Sequence, residues 1–572
     1  MSSFRQLLSV TVALTSIELL TVAEPRLGMQ WTDLMLWGIS AHVLYGSFLC
    51  IVWFISRKVL GHKRASSFSL GVLIALHAGL IYRMDFAVNL YMSDPRLWGV
   101  SFILLVTALA LGFWLSGWLI LCEKFLWAMG LLASMVLPIK GLEKSAAISS
   151  TLPDIVLISL DTTRPDALSV YGGGYPTPNI DALANRGVRF TEAISTAPLT
   201  EPAHLSMLTG QTTLQTGVAS NGTFLENQPL FLTHSLRSMG YQTAAFVSGF
   251  PLHARYGWSD YFDVYDDDFG DWMGLHRLHI VQAWDQLVLP AHTLRERRGK
   301  TAVNRAMRWH QNHDGQPVFL FLHLFDPHAP YEAPNHPFDP PTDGAKLELP
   351  AYWPPPHREI TDTQWLIDAY HAEVQYVDFL LGPFLDSLSE DSIIILTADH
   401  GESLTEHGYY FEHGDNLFDP SLRIPLVVAA PGLEASVSKC LVSSMDIPST
   451  IVRFLGRDDH PMRSGVALQD VISAESCPER IQLSTTVAAR FIDQPPLSIS
   501  ARSDANKLIK LPESLRCYQF YNDPKEQNAL SGSACPIRLL TAIEEAEQAS
   551  EVKAPKLDAQ TQDALEALGY IE

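Results

Sequence analysis

Four residues far apart in the chain could do chemistry together: a hydroxyl, Thr200, two carboxylates, Asp161 and Asp399, and an imidazole, His400. Thr200 lies in APLTEPAHLSMLTG (197–210), where Pro202, with its fixed φ and no N–H, suits the first turn of a helix through His204, Leu205, Met207 and Leu208. The positive end of such a helix favours an attacking alkoxide, or a phosphate or sulfate held by free backbone N–H groups. A threonine there is also a common helix N-cap, the plainer reading of Thr200 taken alone. Asp161 ends the run DIVLISLD, and Asp399 and His400 end SIIILTADH. Two carboxylates, an imidazole and an alkoxide form an oxygen-and-nitrogen set suited to one divalent cation, Zn²⁺, Mn²⁺, Mg²⁺ or Ca²⁺. Such an ion would lower the hydroxyl pKa and screen an incoming anion, which makes a weak nucleophile active near neutral pH.

The elements that must hold these residues read as buried parallel strands, because both runs are continuously apolar rather than alternating. A third apolar run, 317–324, leads into DPHAPY. In open α/β sheets the ligand crevice lies beyond the carboxyl ends of the strands, which directs the strand-end residues to one site. Tyr370, Val374 and Val377 have helical spacing and read as a core stripe, with Glu373 and Asp378 as solvated or capping groups. The acidic stretch 263–268 reads as an exposed loop, cation binding being the alternative. The Pro-rich stretch 335–356 is expected to be an irregular loop beside DPHAPY, and 544–551 an acidic helical linker.

The 572 residues exceed one ordinary domain. Apolar runs at 7–23, 34–55, 68–92 and 98–122 have bilayer-crossing length, and a fifth, 125–139, is shorter. The basic cluster Arg57, Lys58, Lys63 and Arg64 is expected to stay in the cytoplasm, which with five spans puts everything after Lys140 outside. Glu18, Arg83 and Asp85 fall in or near these runs and either pair there or snorkel from span ends. Residues 1–145 carry 11 Lys and Arg against 7 Asp and Glu; the rest carries 29 against 55. So acidic an outer region argues against a nucleic-acid partner. Cys440, Cys477, Cys517 and Cys535 could form two disulfides there, with three connectivities open; Cys50 and Cys122 read as packing residues within spans.

Between about 154 and 470 the chain resembles the sulfatase branch of the alkaline phosphatase superfamily. The resemblance is carried in order by LISLDTTRPDALSVYG, TPNIDALANRGVRFTEA, LTEPAHLSMLTG, LRSMGYQTAAFVSGF, FLHLFDPHAPY, TADHGESLTEHG, HGDNLFDPSLRIPLVVAAPG and MDIPSTIVRFLG. The implied fold is a multi-span helical membrane region (1–145), then an α/β sandwich with a mixed, largely parallel sheet between helices (150–475). A small antiparallel C-terminal subdomain with a closing helix follows (476–572). The resemblance implies Asp161, Thr200, Asp399 and His400 as ligands of one divalent metal and Thr200 as nucleophile. It places His204 where sulfatases carry the Arg of their signature, and His328 and His413 at positions that contact the transferred or leaving group. Position 200 is Thr, so the Cys or Ser that sulfatases convert to formylglycine is absent, and oxidised Thr would be a ketone. The Gly-Lys-Trp-His segment of the family is also missing, Phe246 to Gly249 standing in that region. With its spans and Thr nucleophile the chain is similar to phosphoethanolamine transferases and lipoteichoic-acid-synthase-like enzymes. The expectation is a membrane-anchored, metal-dependent hydrolase or transferase of phosphate, or sulfate, esters, the alternatives being a sulfuric ester hydrolase acting without formylglycine and a catalytically silent ectodomain that binds an anion. Its site would face the periplasm of a bacterial inner-membrane protein, or the cell exterior. Its partners would be an anionic ester, borne by a lipid headgroup or glycan, and membrane lipid.

Overall fold

The computed structural model describes residues 152–225, 231–269, 297–313, 315–334, 363–457, 465–487 and 497–549. They fall within one compact unit, 147–269 with 294–572. The five apolar runs, Glu18, Arg83 and Asp85, the loop 335–356 and the chain after 549 lie outside the described residues. Among those described, no helix is long and apolar enough to cross a membrane.

Thirteen strands are described. Eight form one sheet: β1 (Ile155–Leu160), β2 (Val188–Ile194), β3 (Gln242–Phe246), β4 (Val264–Asp266), β5 (Val318–Leu324), β6 (Ile393–Thr397), β7 (Arg423–Ala429) and β8 (Ser436–Ser443). Their order is β4-β3-β5-β1-β6-β7-β2-β8, and only β7 pairs antiparallel with its neighbours. The expected mixed, largely parallel sheet is therefore observed. The apolar runs around Asp161, Asp399 and DPHAPY are its three adjacent central strands, β1, β6 and β5.

Helices cover both faces, which is why the central strands are apolar throughout. Ile155 and Leu157 of β1, Phe319 and Phe321 of β5 and Ile393 and Ile395 of β6 share a core with α2 (Thr200–Thr209), α3 (Leu232–Ser238) and α6 (Ile447–Phe454). The alternate residues Val156, Ile158, Leu320, Leu322, Ile394 and Leu396 pack against α1 (Pro178–Ala184), α4 (Gly299–Gln311) and α5 (Thr363–Asp386). Tyr370, Val374 and Val377 belong to that second core, as their spacing predicts. Asp378 caps α1 from across the interface, accepting from the Ile180 N–H at 2.8 Å. Glu373 is no solvated group: it is fully buried, accepting from Arg298 and from the Glu332 N–H. The acidic stretch is not an exposed loop either, because Asp266 and Asp268 are buried against Arg297 and Arg305, which also fill the place of a cation.

Strands β9 (Gln482–Val487), β10 (Leu497–Arg502), β11 (Asn506–Leu511), β12 (Ser514–Gln519) and β13 (Leu530–Ser531) form an antiparallel sheet in the order β13-β12-β11-β10-β9. Helix α7 (Ile537–Gln548), over part of the expected acidic linker, buries Leu539 and Ile543 against Ile499, Ala501 and Leu508. Disulfides join Cys440 to Cys477 and Cys517 to Cys535.

Candidate active site

The carboxyl ends of β1, β5 and β6 meet the start of α2. Because side chains alternate along a strand, the face toward α2 reads Ile155, Leu157, Ser159 and then Asp161 on β1. On β5 it reads Phe319, Phe321, His323, and on β6 Ile393, Ile395, Thr397 and then Asp399. Each apolar row thus turns polar at its last positions.

Thr200 is not the helix N-cap. Leu199, in extended conformation, holds that position and Thr200 opens the helix. The cap is supplied from a distant loop, where Asn221 Oδ1 accepts from the Glu201 N–H at 2.8 Å, so that N–H is not free for an anion. Glu201 in turn accepts from the N–H groups of Gly222 and Thr223 and ties that loop to the turn that carries Thr200. All ten residues of α2 are buried, and Gly210, at φ 71, ends it in the left-handed conformation.

The geometry around the two carboxylates is specific. Asp399 Oδ1 accepts from the N–H groups of Thr162 (3.2 Å) and His400 (2.8 Å), and Asp161 Oδ2 accepts from His323 Nε2 at 2.8 Å. The other oxygens, Asp161 Oδ1 and Asp399 Oδ2, are buried with no hydrogen-bond partner, as is His400 Nε2. His400 Nδ1–H donates to the Gly401 carbonyl at 2.9 Å, which leaves the lone pair on Nε2. Asp161, Asp399 and His400 offer ligand atoms within 4.8 Å of one another, and the Thr200 side chain lies beside Asp161. Burial, with Glu402 close by, holds Asp161 well above the usual carboxyl range, and burial together with Asp161 does the same to Asp399. Two facing buried carboxylates and a bare imidazole nitrogen are costly without a cation; the residues present fit the expected divalent metal.

The turn after β1 is held in strain. Thr162 has φ 52, an outlying conformation for a β-branched residue. It is fixed by Tyr370, whose hydroxyl donates to the Thr162 carbonyl and accepts from the Arg164 N–H. Arg164 is no anion clamp, since its guanidinium is spent on Asp166, Glu406 and the Glu402 carbonyl. Gly401 admits no side chain, because a Cβ there would strike the Pro420 carbonyl.

The three histidines assigned to the transferred group divide. His204 is fully buried, with Nδ1 on the Thr200 carbonyl (2.7 Å) and Nε2 on Ser159 Oγ (2.8 Å), so both nitrogens have partners within the protein. His328 and His413 stand edge to face with ring centroids 4.9 Å apart, and His413 lies 4.5 Å from His400. His328 Nδ1–H donates to the Ala329 carbonyl. His413 Nδ1 lies 3.2 Å from Glu402 Oε1, and Glu402 Oε2 accepts from Tyr331 at 3.4 Å. Burial pushes His413 and His400 down to about 4 and Glu402 well up.

His323, Glu402 and Tyr370 contribute to the site without being marked by the spacing of the motifs. The signal for His323 was a lone imidazole in the apolar strand VFLFLHL; Glu402 was visible in DHGE. Tyr370 had none, since a tyrosine in a core stripe is ordinary.

A mixed sheet between helices, with a helix that opens on a threonine facing strand-end carboxylates and an imidazole, defines a metal-dependent ester hydrolase of the alkaline-phosphatase-like class. The chain belongs to the Sulfatase family, whose model matches residues 153–457. It is 25% identical over 393 residues to a choline-sulfatase of Rhizobium meliloti, covering 59% of this chain and 75% of that one. It is 24% identical over 438 residues to the multifunctional alkaline phosphatase superfamily protein PehA of Trinickia caryophylli, covering 62% and 84%. The solved phosphonate monoester hydrolase of Agrobacterium radiobacter superposes with a TM-score of 0.52 at 20% identity, over 69% of this chain and 94% of that one, a likeness of fold.

Proposed function

We propose that this chain is a membrane-anchored phosphoester hydrolase or transferase in which Thr200 is the nucleophile. The observation that carries the reading is the convergence of bare Asp161 Oδ1, Asp399 Oδ2 and His400 Nε2 beside the Thr200 side chain. With Thr200, these residues would hold one divalent cation, which when bound would lower the hydroxyl pKa and screen the substrate's charge. Deprotonated Thr200 Oγ attacks phosphorus in line; the Oγ–P bond forms as the bond to the leaving oxygen breaks, and that oxygen keeps the electron pair. His413 supplies the proton from Nε2 while Glu402 replaces it at Nδ1, a relay between groups that burial keeps uncharged as a pair. His328 lines the same wall. His204, with both nitrogens taken, positions the Thr200 turn instead of touching substrate. Water or an acceptor hydroxyl then attacks the phosphothreonine and releases Thr200.

Phosphoryl chemistry is favoured over sulfuryl because Thr200 cannot become formylglycine, and PehA's name supports breadth beyond sulfate. An anchored site facing the periplasm or exterior has lipid headgroups and their glycans as its nearest anionic esters, which supports transfer.

The test is acid-quenched turnover. The wild type should act on phosphoesters without a maturation enzyme and leave a phosphate on the Thr200 peptide. Thr200→Ser should keep part of the activity and Thr200→Ala should lose several orders of magnitude. No adduct, together with wild-type turnover by Thr200→Ala, would sink the reading.

A further inference from the structure

His323 sits where packing alone calls for an apolar residue. It follows Phe319 and Phe321 on the same face of a central strand, is fully buried, and is the register partner of Ser159, two residues before Asp161. A buried imidazole is tolerated when its nitrogens are bonded, yet only Nε2 is: Nδ1 has no partner. Its side chain therefore has one polar contact, Asp161 Oδ2, and its ring is fixed edge to face against His204 with centroids 4.9 Å apart. An ionised carboxylate oxygen can only accept, so Nε2 carries the hydrogen and Oδ2 is taken. Asp399 Oδ1 is taken in the same way by two backbone N–H groups. Each carboxylate is left with one bare oxygen, and with His400 Nε2 and Thr200 the donors number four.

We propose that His323 is a positioning residue that holds Asp161 to a single ligating oxygen and so selects a small, low-coordinate cation such as Zn²⁺ over Ca²⁺. Ca²⁺ takes six to eight oxygens and favours carboxylates that can turn both oxygens to it, whereas four oxygen and nitrogen donors suit four-coordinate Zn²⁺. This rests on the metal reading of the Asp161, Asp399 and His400 group.

The experiment is metal binding to the full chain in detergent, by competition with a chromophoric chelator, using Zn²⁺ and Ca²⁺ and needing no turnover. The variants are His323→Leu, which fills the space without a donor, His323→Gln, whose amide N–H reaches the position of Nε2, and Asp161→Asn. His323→Leu should bind Zn²⁺ about 10- to 100-fold more weakly and lower the ratio of Zn²⁺ to Ca²⁺ affinity, and His323→Gln should restore both. Melting of the metal-free proteins reports whether each variant folds, and His323→Gln carries the test should His323→Leu not fold. An unchanged affinity ratio in folded His323→Leu, or a His323→Gln that behaves like it, overturns the role of His323 alone, provided Asp161→Asn abolishes binding. If Asp161→Asn binds as well as wild type, the metal reading falls and this assignment with it.

Discussion

Glu402 is the buried carboxyl group that links His413 to Tyr331, and its contact with His413 suits proton delivery to a departing oxygen. Glu402→Gln would preserve a hydrogen-bond donor toward Nδ1 and remove the proton that can be handed on. Alkyl phosphoesters, whose leaving groups need a proton, should therefore lose about 10²-fold or more in kcat. Nitrophenyl esters, whose leaving groups do not, should change by less than tenfold. The dependence of rate on leaving-group pKa checks this, and a uniform loss across the series would show that Glu402 only supports the fold. The convergence of Asp161, Asp399 and His400 was legible in the sequence because a carboxylate just past an apolar run has one geometric consequence, a place at the strand's carboxyl end. His204 was less so: its place in a motif indicates nearness to the nucleophile, but only the geometry shows both nitrogens consumed by Thr200 and Ser159. Tyr370 lay beyond reading, since its hydroxyl acts on a turn more than two hundred residues away.

At the scale of elements, the central strands could be read from composition, because a strand covered on both faces has no alternation to mislead. The β-sheet order and the capping of α2 by Asn221 could not, as they depend on pairings between distant segments. The same holds for the docking of the C-terminal sheet, which rests on a buried ion cluster. Asp419, just after the HGDNLF segment, accepts from Lys507 at 2.9 Å and pairs with Arg502, while Lys507 also meets Glu526 at 2.8 Å and Arg502 meets Glu192. Burial alone would raise the pKa of Asp419, but Arg502 and Lys507 outweigh it and hold the carboxyl well below its usual range. A depressed folded-state pKa contributes stability that is full above the unfolded value of about 3.9 and is lost as pH falls from there through the folded-state value. Asp419→Asn should therefore cost about 3 kcal/mol at pH 7, as for one partner removed from a buried pair, and the gap from wild type should narrow progressively as pH falls below about 4. Denaturant melts across pH 3 to 8 measure it; a gap independent of pH would mean that Asp419 acts through packing.

For the whole molecule, compartment and anchoring are linked through the cysteines. Cys440 pairs with Cys477 and Cys517 with Cys535, so all four cysteines after residue 145 are oxidised. Disulfides of this kind persist in the periplasm or outside the cell and are rare in the cytosol. The charge rule points to the same side independently: were Arg57, Lys58, Lys63 and Arg64 inside and the number of spans odd, the chain beyond Lys140 would be exported. Two measurements should then agree. A reporter that matures only outside the cytoplasm, fused after Lys144, should be active. Alkylation of the full-length protein in denaturant without reductant should label Cys50 and Cys122 and spare the other four. A silent reporter with all six cysteines labelled would place the catalytic unit in the cytosol and remove lipid headgroups on the outer side as its substrates. An active reporter with four protected cysteines would leave the family's ester chemistry facing an outer membrane surface, where phosphorylated headgroups are abundant and transfer to a glycan hydroxyl can compete with water.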